Sequence, residues 1–79
     1  MLCKVTIPPT VYVDDDAVRA LDNLGQREGP SFSRDETSGE HVRTLSVILE
    51  AENADDAATI VAEAIDIDPD ELEAQPTDR

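Results

Sequence analysis

The segment from Val42 to Ala51 constrains this chain more than any other. Leu45, Val47, Leu49 and Ala51 point one way while Thr44, Ser46 and Glu50 point the other, with Ile48 the single exception. That period of two is the mark of a strand with one buried and one hydrated face. A sheet wetted on one side is antiparallel rather than parallel, because parallel sheets are covered on both faces. The remaining elements therefore have to cover the apolar side of this strand and its neighbours.

Two segments have the pattern to do so. Asp14 is a candidate N-cap, with Asp15 and Asp16 placing negative charge at the positive end of a helix dipole. Ala17, Ala20, Leu21 and Leu24 then recur at helical spacing, widened by Val18, and Gly25 reads as the residue after the helix. The expected helix spans Asp15 to Leu24. Asn53 caps a second helix in the same way, with Asp55 and Asp56 in its first turn. Its stripe is Ala54, Ala57, Ala58, Val61 and Ile65, small enough to lie close on a sheet.

Cys3, Val5 and Ile7 alternate with Leu2, Lys4 and Thr6, which predicts a first strand. Pro8 and Pro9 interrupt it as a bulge, and Val11 to Val13 are expected to continue the extended chain. From Gln26 to Glu40 only Phe32 is a large apolar residue, so the segment is either a loop or a polar edge strand. A strand near Ser31 to Asp35, turning through Thr37, Ser38 and Gly39, is preferred, since long structureless connections are uncommon in compact domains. Asp68-Pro69-Asp70-Glu71 starts a third, short helix to about Ala74.

The expected fold is thus α+β: an antiparallel sheet of about three strands with two main helices on one face, in the order β-α-β-β-α plus a short C-terminal helix. Residues 1–74 form one domain and 75–79 a flexible tail. This order resembles a ferredoxin-like domain without its fourth strand. Unless the Ile65 to Asp68 stretch fills the gap, that resemblance implies an exposed edge on the first strand, able to recruit a partner strand or a second copy. Equally, Pro8 and Pro9 could serve to block such pairing.

Composition narrows the function. The 79 residues hold 19 acidic and 6 basic side chains, a net charge of −13. Phosphate backbones and anionic lipid are bound by cationic surfaces, so neither nucleic acid nor membrane is an expected partner. No apolar run matches a membrane span or a signal peptide, and one cysteine permits no internal disulfide; a reducing cytoplasm is the expected location. With one Phe, one Tyr and no Trp, the core must be aliphatic, and its stability modest or shared with a partner.

No catalytic constellation emerges, and the chain is expected to be no enzyme. His41 is the single histidine, and Ser38, Glu40 and Ser46 stand at no recognisable catalytic spacing from it. Cys3 lies on the inward face of the first strand, where a packed thiol is the ordinary reading. Asp66, Asp68 and Asp70 begin like a calcium loop, but Glu71 stands where glycine is needed and Thr77 where glutamate is needed. No cofactor and no metal is expected. The candidate binding residues are Tyr12, Asp14, Asp15, Asp16, Phe32 and His41. Large or polar aromatic side chains are natural contact anchors in a chain so poor in them, although Phe32 could instead plug the core.

The excess of arginine over lysine and the runs Val11-Tyr12-Val13-Asp14-Asp15-Asp16 and Ala51-Glu52-Asn53-Ala54-Asp55-Asp56-Ala57 resemble small acidic proteins of bacteriophages infecting high-GC actinobacteria. To a lesser degree they resemble small haloarchaeal proteins. The phage resemblance implies an accessory protein that binds a host or phage protein. Together these readings point to a non-enzymatic protein-interaction or regulatory module, self-associating and docking a basic partner on its acidic surface. The alternative is a small ligand- or metal-sensing domain using a sheet face or the Asp14 to Asp16 cluster. The acidity could also be an adaptation to high salt.

Overall fold

A computed structural model describes residues 1–34 and 36–77. The first strand, β1 (Leu2–Ile7), buries Cys3, Val5 and Ile7 as its alternation requires. It stops at the prolines rather than bulging through them. Pro8 and Pro9 have no N–H for a ladder, and the chain turns there, with the Val11 N–H donating to the Pro8 carbonyl at 3.1 Å. Val11, expected in an extended continuation of the strand, instead folds inward from this loop and is buried.

Helix α1 (Asp15–Leu24) starts where its cap predicts, the Ala17 N–H donating to Asp14 Oδ1 at 2.8 Å. Leu21 is its buried residue, and Ala17, Val18, Ala20 and Leu24 are half-buried around it. Strand β2 (Gln26–Arg34) follows after Gly25 alone and runs antiparallel to β3 (His41–Glu50). It begins well before the expected Ser31; the expected end at Asp35 lies outside the described residues. A bulge between Glu28 and Ser31 holds the extra residue of β2, at the cis Gly29–Pro30 peptide.

Helix α2 (Ala54–Ile65) is capped by Asn53, whose Oδ1 accepts from the Asp56 N–H at 2.7 Å, and it buries Ala57, Ala58, Val61 and Ala62. Asp66, in the left-handed conformation at φ 58°, ends it. The third helix start is real but lasts one 3-10 turn, Pro69–Glu71, with Asp68 Oδ1 accepting from the Asp70 N–H. Leu72 then drops into the core and the chain becomes a fourth strand, β4 (Glu73–Pro76).

The sheet has the order β2-β3-β1-β4, every neighbouring pair antiparallel. The expectation of about three strands is therefore corrected to four, in the order β-α-β-β-α-β of a split β-α-β arrangement. Gln75 and Pro76, expected in a tail, belong to β4, which pairs Cys3 with Pro76 and Val5 with Ala74. The edge of β1 expected to be open is closed by this strand.

Both helices cover one face of the sheet. Cys3, Val5 and Ile7 stand opposite Leu49, Val47 and Leu45, and the row packs with Leu21, Ala57, Val61 and Leu72 into one aliphatic core. The other face is less wet than its polar residues suggest. Ser46 and Ile48, at the centre of β3, are buried there, and Lys4 on β1 reaches across β3 to Glu28 on β2, Nζ to Oε2 at 3.8 Å. Half-exposed long side chains thus roof the middle of an otherwise solvated face.

Candidate functional site

A concavity of about 810 Å³ lies between α2 and the turn leading into β4. Its buried lining is Ala58 and Leu72, and its exposed lining includes Asp55, Thr59, Asp70 and Glu73. Each carboxylate has a local origin. Asp55 sits in the first turn of α2 and Asp70 in the first turn of the 3-10 segment, where negative charge offsets the exposed N–H groups. Glu73 takes the outward position between the inward Leu72 and Ala74. Packing of the 3-10 turn against α2 is what gathers these three acids around one trough.

No lysine or arginine is among its described lining residues. Thr59 is already engaged, its Oγ1 donating to the Asp55 carbonyl at 3.0 Å. An acidic rim over an aliphatic floor suits a cation carried on an apolar stem, the form of a lysine or arginine side chain. The sequence places Asp55 in the first turn of a helix, Ala58 in its buried stripe and Asp70 in a helix start, and gives Thr59 and Glu73 no role. Their convergence depends on a tertiary contact that no local pattern records.

The candidate binding residues go elsewhere. Asp14 and Asp16 line a second, smaller hollow of about 210 Å³ with Ala64, Ile65 and Asp66 at the far end of α2; Asp15 lies beside them in the first turn of α1. Asp14 is occupied as the cap, and Asp16 pairs with Arg19 at 3.5 Å. Among the described residues, no three His, Cys, Asp or Glu side chains converge in a way that could hold a metal ion. Cys3 is fully buried within the core.

Tyr12 and Phe32 are 86% and 70% exposed, so Phe32 is no core plug. Arg43, which the sequence did not single out, links them. It is the cross-strand partner of Phe32, and its Nη2 donates to the carbonyls of Pro8 and Val11, each at 2.8 Å, immediately before Tyr12. Its Nε is buried without a hydrogen-bond partner among the described residues. Arg43 thus ties the loop after β1, just ahead of Tyr12, to the β2–β3 hairpin beside Phe32. His41 opens β3 as an exposed residue opposite Arg34.

No helix among the described residues is long and apolar enough to cross a membrane. No known protein family, curated protein or solved structure matches the chain.

Proposed function

We propose that this protein is a non-enzymatic interaction module that receives a basic segment of a partner protein in the groove between α2 and β4. One observation carries the reading: Asp55, Asp70 and Glu73 surround a trough floored by Ala58 and Leu72, with no basic side chain among its described lining residues. A net charge of −13 steers a cationic partner toward the molecule, and the groove supplies a shaped place for it to stop. Given the resemblance to phage proteins, the partner is a host or phage protein.

The test separates the site from the bulk charge. A peptide of alternating lysine and leucine is titrated into the wild type, into the triple variant Asp55→Asn, Asp70→Asn, Glu73→Gln, and into Asp14→Asn, Asp15→Asn, Asp16→Asn. Both variants lose three charges. The groove variant is expected to bind about tenfold more weakly than the other, a difference of about 1.4 kcal/mol. Equal weakening in the two would show that overall charge, and no particular trough, attracts the peptide.

A further inference from the structure

Closing the β1 edge with β4 leaves the sheet two margins, the outer sides of β4 and β2. They differ in how they are guarded. β4 is four residues long, contains Pro76 and carries Glu73 beside the acidic groove, so a second strand meets both a missing donor and negative charge. The first half of β2 is guarded too. Pro30 in the bulge has no N–H, and the Arg27 guanidinium, held by Asp22 at 2.6 Å, donates to the Gly29 carbonyl.

The second half of β2 has no such protection. Among the described residues, Ser31–Arg34 pairs with the start of β3 on one side only, all four residues are exposed, and none is proline or acidic. Phe32 stands in its middle, 70% exposed. Charge singles out the same place. Residues 26–44 hold three arginines and four carboxylates, a net −1, so the rest of the chain carries −12 of the total −13. A second copy is repelled by nearly every other surface and meets almost no net charge here.

We infer that two copies of this chain associate through Ser31–Arg34, pairing their β2 margins antiparallel into one continuous eight-stranded sheet. The pairing is isologous: the same short segment meets itself about a two-fold axis, which brings the two Phe32 rings together at its centre. The flanking Ser31 and Ser33 are small enough to let the backbones approach. This surface is separate from the acidic groove, so each can fail without the other.

Light scattering across a concentration series tests it. The wild type is expected to rise from 8.6 kDa toward twice that mass by about 1 mM. Phe32→Glu is expected to raise the dissociation constant about 30-fold, as loss of a central aromatic anchor does, with unchanged circular dichroism because the residue is exposed. A wild type that stays at 8.6 kDa throughout, or a dimer equally strong in Phe32→Glu, overturns the inference.

Discussion

Gly25 is the only residue between α1 and β2, and its necessity has a different origin from that of most glycines after helices. Its φ of 177° is ordinary extended backbone, so no left-handed conformation is required of it. The space is what excludes a side chain: a Cβ there would lie 2.1 Å from the Ile48 carbonyl oxygen, a backbone atom of the central strand β3. Gly25→Ala should therefore force the helix end away from the sheet and cost about 1–3 kcal/mol, in the range of overpacked cores. A urea midpoint unchanged by the substitution would show that the junction has slack. Asn53→Ala probes a different local device. Removing the acceptor for the Asp56 N–H should cost about 1 kcal/mol, read in the same titration as a lower midpoint at unchanged slope.

At the scale of elements, Leu72 is the hinge between a helix start and a strand. It is 9% exposed and belongs to the central cluster, and by burying itself it pulls the chain out of the 3-10 turn and aligns β4 with β1. Leu72→Ala should cost about 2 kcal/mol, at the low end for a buried leucine because the site is near the surface. Hydrogen exchange in that variant should speed up in β4 before it does in β3. The same region shows why parts of the fold were legible and parts were not. α1, α2 and β3 carry caps and stripes long enough for their period to be read, and Asp14, Asn53 and the Leu45 to Leu49 alternation led directly to them. β4 offers four residues, too few for a period to stand out from the helix-start signal ahead of it. The first half of β2, Gln26 to Glu28, is polar because a sheet margin is held by backbone pairing and needs little side-chain burial. The groove was hidden for a related reason. Asp55 and Asp70 are each explained locally, and only the packing of two elements makes them neighbours. Scarcity singles out Tyr12 and Phe32 as candidate anchors, with a core plug as the other reading of Phe32, but Arg43, which ties the loop before Tyr12 to the strand beside Phe32, has no sequence signature beyond being an arginine within a strand.

For the whole molecule, charge dominates. Against a net −13, the ion pairs found among the described residues are Lys4–Glu28, Arg19–Asp16 and Arg27–Asp22, all at least partly exposed. Such pairs contribute little, so mutual repulsion among the carboxylates is largely uncompensated. Raising the salt from about 0.01 to 0.15 M shortens the screening length from about 30 to 8 Å and should raise the thermal midpoint by several degrees, with little gain beyond. A chain already folded in the dilute buffer fits an acidity that serves binding; one that folds only at molar salt would point to a halophilic origin for it. The pairing of Cys3 with Pro76 makes completion of the sheet depend on the order of synthesis. The strand that flanks β1 on its outer side is made long after β1 itself, so a ribosome still sheltering Glu73–Pro76 in its tunnel withholds a wall of the sheet. Nascent chains whose spacer brings only residues up to Leu72 out of the tunnel should be cut by protease far faster than chains whose spacer brings out Pro76 as well.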